Sequence, residues 1–411
     1  MDLEIGPRYE TFRQEVRAFL DRHRDTAPPA GPGALRDGRV LAWQKTLIES
    51  GYAARTVPRE YGGYGAAPDL LETVLIDEEF ARARVFRGME SQGISMFVPT
   101  VLRYGDEEHK RRYVGPTIRG EMIWCQGYSE PAAGSDLASL RTQARLDGDE
   151  WVVNGQKIWT STAREADMMF CLVRTEPDAE RHAGISYLLI DMKTPGIEVR
   201  PLMTMTGDAS FNEVFFTEAR VPRENLVGDR GQGWEIATYL LRFERSMLGR
   251  SNQTETFLAG CVDVLAETGL LGDPVWRDRL ARLEARVLAM KYHGLRLLTD
   301  RLRGRESGVS GLITKLNGCQ LNYDLCALAI DAMGERGTLK RGSRRVRDEG
   351  AWQTQYMYAL GLIIGGGTAQ IQKNIIAETG LGMPRSGRGR HHALRADNLG
   401  AEDGAVGRPR R

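Results

Sequence analysis

Two short stretches carry side chains suited to gripping a cofactor. Residues 125–140 read CQGYSEPAAGSDLASL and residues 154–162 read NGQKIWTST. In the first, the small residues Ala132, Ala133, Gly134 and Ser135 let a backbone approach a ligand closely, and Ser129 and Ser135 offer hydroxyls. In the second, Trp159 can cover one face of a flat ring while Thr160 and Ser161 bond its edge. Either stretch alone reads as an ordinary turn or a core tryptophan; together on neighbouring strands they describe a site. A third stretch, GLIIGGGTAQIQKNII at 361–376, places Gly365, Gly366 and Gly367 where a working side chain would be sought. Metal chemistry has little support. The five cysteines, at 125, 171, 261, 319 and 326, lack Cys-x-x-Cys spacing and read as buried free thiols, and the six histidines form no ligand pattern. His391 and His392 sit in an Arg- and Gly-rich run that reads as solvated surface.

These stretches need elements to hold them. The 411 residues are 41% hydrophobic and 27% charged, enough for two or three domains with real cores. Lys plus Arg number 56 against 55 Asp plus Glu, which gives no reason to expect a nucleic-acid or membrane partner. The N-terminus has no targeting pattern and no 18 apolar residues run together, so a cytoplasmic protein without membrane insertion is expected. Residues 1–120 read as a helical domain. TFRQEVRAFLDRH carries one apolar stripe, 26–38 is a Pro- and Gly-rich loop, and Pro68 suits the first turn of DLLETVLIDEEFARARV. Residues 121–232 read as an all-β domain, a small barrel or sandwich, with a hairpin turn at Asp147-Gly148 and a second turn at Asn154-Gly155. Residues 233–385 return to helical period in four runs, which predicts a four-helix bundle: EIATYLLRFERSMLG, WRDRLARLEARVLAMKYHGLRLLTDRL, CQLNYDLCALAIDAM and the stretch at 361–376. Residues 386–411 carry almost no large apolar side chains, which predicts a disordered tail. The fold class is thus α+β and multidomain.

Over about residues 5–384 the chain resembles the acyl-CoA dehydrogenases. The family's loop of the form C-x-x-(S/T)-E-P-x-x-G-S-D is matched at Ser129, Glu130, Pro131, Gly134, Ser135 and Asp136, with Cys125 standing one residue farther upstream than that form has it. Its N-G-x-K-x-W-(I/T)-(S/T) signature is matched at Asn154, Gly155, Lys157, Trp159, Thr160 and Ser161, and its G-T-x-x-I-Q signature at Gly367, Thr368, Ile371 and Gln372. The resemblance implies FAD as cofactor and α,β-desaturation of an acyl-CoA or acyl-carrier-protein thioester, with electrons passing to an electron-transfer flavoprotein. It implies that Gln126, Tyr128, Ser129, Trp159 and Ser161 surround the flavin ring. Ser135 would lie near the pyrophosphate and the thioester entrance, and Thr368 and Gln370 would touch FAD. It also implies a homo-oligomer, dimer or tetramer. Ala132 replaces the usual glycine.

The reaction needs a carboxylate to remove the α-proton. In many members a glutamate directly precedes the Gly-Thr of the last signature, and here that position is Gly366. In the isovaleryl and long-chain types the base comes from an earlier helix, and the matching residue here is Glu244, followed by the matching Arg245. Phe243 and Met247 beside Glu244 would partly desolvate it. The alternative is a surface charge cluster with Arg242 and Arg245. A glycine at 366 would open room for a bulky acyl group and forms part of the expected substrate wall with Ser135 and Arg245. The Arg-x-Phe-Gly element by which many members reach a neighbour's FAD is absent from 255–300. Two other readings follow from these departures: a flavin monooxygenase on the same fold, or a non-catalytic or half-active subunit of a hetero-oligomeric dehydrogenase.

Overall fold

A computed structural model describes residues 6–29, 35–248, 251–305 and 308–384, apart from the side chains of 245–247 and 251. The tail at 386–411, with its two histidines, lies outside the described residues, as does the Arg245 side chain.

Three amphipathic helices, α1 (Pro7–His23), α2 (Gly38–Glu49) and α3 (Leu70–Ala83), turn Val16, Phe19, Leu20, Trp43, Leu47, Ile76 and Phe80 into one core. Asp69 caps α3, its Oδ1 accepting the N–H groups of Leu71 and Glu72, so Pro68 precedes the cap and does not occupy the first turn. Buried Glu79 of α3 is held by Arg17 and Arg13 from α1 and by Arg82 of α3, at 2.9, 2.8 and 2.8 Å. Hydrogen bonds from Arg17, then Arg13 and Arg82, overcome the cost of burial and lower its pKa from 4.5 to about 2. A π-helical turn (Gly93–Phe97), α4 (Val98–Tyr104), α5 (Glu107–His109) and α6 (Gly115–Ile118) lead on to the sheet.

The strands are β1 (Trp124–Gly127), β2 (Gln143–Asp147), β3 (Glu150–Ser161), β4 (Met168–Arg174), β5 (Ile185–Asp191), β6 (Ile197–Leu202), β7 (Phe211–Pro222) and β8 (Leu226–Val227). They run in the order β6-β7-β3-β2-β4-β5-β8, with β1 parallel to β4. β2 and β4 meet at the single pair Gln143–Arg174. The two halves therefore fold over a shared apolar layer, with Trp151, Val153, Val214 and Val221 from one and Cys125, Met169, Leu188 and Ile190 from the other. The hairpin at Asp147-Gly148 is present, joining β2 to β3 with Asp147 opposite Glu150. The second turn is not: β3 runs straight through Asn154-Gly155. Asn154 bonds across to Glu218 through both its amide atoms, and Gly155, at φ 148°, lies at a bulge in the pairing with β7, where a Cβ would meet the Thr142 side chain at 2.6 Å.

The C-terminal helices are α7 (Gly233–Met247), α8 (Ser251–Glu267), α9 (Pro274–Leu302), α10 (Ser310–Ala332), α11 (Ala351–Ile364) and α12 (Ala369–Ile375). The bundle has four helices, but not the four expected. It consists of α8 to α11 around Cys261, Val264, Val287, Leu321, Leu325 and Trp352, and the periodic runs omit α8. Helix α7 instead lies on the outer face of the sheet, packing Ile236, Ala237 and Leu240 with Phe170, Tyr187 and Leu189. Residues 361–376 are not one helix either: α11 ends at Ile364, the glycines turn, and α12 begins after Thr368. All five cysteines are buried and free. No helix among the described residues is long and apolar enough to cross a membrane.

Candidate active site

A buried ion pair fastens the loop after β1 to the second half of β3. The Lys157 ammonium, 0% exposed, donates to Glu130 Oε1 at 2.8 Å and to the Tyr128 carbonyl at 3.2 Å. Glu130 also accepts the N–H groups of Arg141 and Thr142 at 2.6 and 2.9 Å. Burial alone would raise the Glu130 pKa, but the Lys157 charge and these hydrogen bonds hold it below the ordinary value. A backbone bond from Ile158 N–H to the Ser129 carbonyl, 2.9 Å, completes the join. Ser129 therefore lies beside the strand segment that carries Trp159 and Ser161.

Trp159 stands out on that segment. A register shift between Lys157 and Thr160 bulges the strand, and Trp159 sits at φ 60° with 59% of its surface exposed, edge-on to Phe211 at 5.9 Å. Such a backbone conformation costs about 1–3 kcal/mol for a bulky residue, and an indole left in water recovers little of it. Next to it the Thr160 hydroxyl is buried without a hydrogen-bond partner. A strained, outward-facing indole beside an orphaned hydroxyl fits a flat ring with polar edges.

Glu244, half-buried on α7, reaches the same region. Gln126 Nε2 donates to Glu244 Oε2 at 3.4 Å, which ties the carboxylate to β1. Tyr128, two residues on, is fully buried. Burial pushes its phenol well up, and the neighbouring Tyr187 and Glu244 add to that shift. Of the surface-cluster alternative, Arg242 is exposed and the Arg245 side chain lies outside the described residues.

The glycine turn approaches from the other side. Gly366 and Gly367 have φ of 64° and 91°. A Cβ on Gly366 would meet Leu248 Cδ1 at 2.6 Å and Glu244 Oε1 at 3.3 Å. The room beside this backbone is filled by Leu248 and the Glu244 carboxylate, so the extra acyl volume expected here is not found at this point. Side chains from α10 and α12 hold the turn. Gln372 Nε2 donates to the Gly366 and Gly367 carbonyls at 3.1 and 3.4 Å, and Lys315 Nζ donates to the Ile363 and Gly367 carbonyls at 3.0 and 2.6 Å.

The structure thus draws Gln126, Tyr128, Glu244 and Gly366 into one contiguous group and joins it through the β1 loop to Ser129, Trp159 and Ser161. Ser135 is exposed on a loop whose Asp136 pairs with Arg181. Thr368 caps α12, accepting Ile371 N–H at 3.2 Å, and Gln370 is exposed. Among the described residues no hydrogen bond links these last three to the group. Sequence reasoning missed the joining role of Glu130 and Lys157 and missed Lys315 altogether, although a lysine inside the apolar run GLITKLNGCQL was a visible signal.

Comparison with known proteins gives three family matches: Acyl-CoA dehydrogenase, N-terminal domain, at residues 7–121, middle domain at 125–219 and C-terminal domain at 231–381. The chain is 38% identical over 391 residues to acyl-CoA dehydrogenase IpdE1 of Mycobacterium tuberculosis, spanning 92% of this chain and 99% of that protein. Among solved structures it is similar to the Tcur3481-Tcur3483 steroid ACAD, with TM-score 0.78, 29% identity and coverage of 94% and 100%. It is also similar to the ChsE4-ChsE5 complex from Mycobacterium tuberculosis, with TM-score 0.76, 30% identity and coverage of 94% and 100%.

Proposed function

The chain belongs to the acyl-CoA dehydrogenase family, oxidoreductases acting on CH–CH bonds, and from that premise we propose that it desaturates an acyl thioester at the α,β position with Glu244 as base. The observation that carries this reading is the Glu244 carboxylate lying between Gln126 and the side-chain-free Gly366. Gln126 anchors one oxygen of this carboxylate beside the turn, and a carboxylate is the kind of base that α-proton removal needs. A base at position 366 itself would be excluded by the left-handed backbone and by Leu248.

When bound, FAD would accept the β-hydrogen as hydride. Trp159 would cover its ring, with Gln126, Tyr128, Ser129 and Ser161 at the edges, Ser135 toward the pyrophosphate and thioester, and Thr368 and Gln370 as further contacts. Arg245 and Gly366 would complete the substrate wall beside the base. Electrons would leave to an electron-transfer flavoprotein.

The likeness to a structure described as a steroid ACAD supports a bulky, polycyclic acyl group on the thioester. Two of the similar structures name a pair of proteins, which supports a hetero-oligomer over the homo-oligomer expected from the resemblance. The absent Arg-x-Phe-Gly element supports the same reading.

Incubating the FAD-loaded protein with steroid and fatty acyl-CoAs and an artificial electron acceptor tests the chemistry. The expected product is a thioester lighter by two hydrogens. A product that has instead gained oxygen would mean monooxygenation and end this proposal.

A further inference from the structure

We infer that the outward face of α9 is where two copies of this chain meet, each laying its α9 antiparallel against the other's. The inference is independent of the base assignment, and it leaves the remaining faces of each copy to a related subunit.

A helix on the rim of a bundle turns its apolar stripe to the core and charged residues to water. Helix α9, at 29 residues the longest among the described residues, turns apolar side chains both ways. Leu280, Val287 and Met290 are buried in the bundle core, with Leu283 packed against it. At about 100° of turn per residue, the opposite face is centred on Ala281, Ala285, Leu288 and Tyr292. All of these are exposed, Leu288 by 44% and Tyr292 by 55%. They alternate at steps of four and three residues, the spacing of a coiled-coil seam. Helix α8 runs back along α9, with Glu255 and Lys291 paired at 3.0 Å, and its exposed Val262 adds apolar surface beside the seam.

The stripe is complementary to itself. With two copies antiparallel about a two-fold axis between Arg286 and Val287, Ala281 faces the second copy's Tyr292 and Ala285 faces its Leu288, each pairing occurring twice by symmetry. Small meets large in every layer, which is how facing side chains interdigitate. On one flank the same register brings Glu284 to the second copy's Lys291, again twice. Lys291 is half exposed while it holds Glu255, and an ammonium has three donors, so it can take both carboxylates. The other flank has Ala289 near its centre, and Arg282 there is already paired with Asp278 at 2.8 Å.

Other arrangements fit worse. A parallel pair would stack alanine on alanine and tyrosine on tyrosine, and would set Lys291 against the second copy's Arg296. An antiparallel pair slid so that Leu288 faces Tyr292 would oppose large with large and bring the two Lys291 side chains together. The face therefore selects one partner geometry, and a second copy of the chain supplies it.

The test is sedimentation of the full chain, purified alone, across micromolar concentrations. Wild type should sediment at an even multiple of the chain's mass, and Leu288→Arg, a change at an exposed position, should halve that mass at an unchanged thermal midpoint. Glu284→Lys and Lys291→Glu should each raise the dissociation constant by about tenfold, and the double exchange should restore it, because two exchanged copies pair as two native ones do. A wild-type monomer, including one that assembles only when a related subunit is supplied, overturns the inference. An oligomer that Leu288→Arg leaves whole, or that the double exchange fails to restore, overturns it as well.

Discussion

Position 366 excludes a side chain twice, once through its φ of 64° and once through Leu248 at 2.6 Å from where a Cβ would stand. Gly366→Ala is therefore expected to cost about 1–3 kcal/mol in denaturant unfolding, and to lower turnover by more than its effect on stability, because the intruding methyl also pushes on the Glu244 carboxylate. Unchanged stability and turnover would mean that the turn yields easily. The logic of the site at this scale is an exchange of places. A carboxylate carried by α7 fills the space beside a backbone that can carry none itself, and Gln126 holds it there.

Among the elements, the β1 loop and β3 act as one piece because Glu130 and Lys157 pair inside the protein. Lys157→Met leaves the Glu130 carboxylate buried and uncompensated, so a loss of about 3–5 kcal/mol is expected in urea unfolding, and Glu130→Gln added to it should restore part of that loss. The α1–α3 contact depends on pH. The Glu79 pKa falls from 4.5 to about 2 on folding, so its contribution is complete above about 4.5 and is lost as pH drops through that range toward 2. Thermal midpoints of wild type and Glu79→Gln should differ most at neutral pH and converge in strong acid. Much of this layer was legible in the sequence: the β character of residues 121–232, the Asp147-Gly148 hairpin and the apolar stripe of α1. Asn154-Gly155 misled because a turn dipeptide can also make a bulge when Asn154 finds a cross-strand partner in Glu218, 64 residues away. The clamp on the glycine turn was hidden for the same reason: Lys315 and the carbonyls it holds are 48 and 52 residues apart, and local spacing carries no trace of such a contact.

For the whole molecule, the sheet is the common wall: α7 lies on it, and the bundle brings the glycine turn against α7. The three-part order of helices, sheet and helices was readable from period changes, and the chemistry from three motifs, but assembly was not. If the chain works with a second, related subunit, native mass spectrometry of the protein purified alone should find fewer than one FAD per chain; full occupancy in a homo-oligomer would contradict that. The central claim is that Glu244 takes the substrate's proton. Its most direct test is anaerobic addition of a panel of steroid and fatty acyl-CoAs to the FAD-loaded wild type and Glu244→Gln, following the flavin absorbance. The account predicts bleaching in the wild type and a rate lower by about a hundredfold or more in Glu244→Gln at unchanged thermal stability; bleaching at the wild-type rate in Glu244→Gln would contradict it.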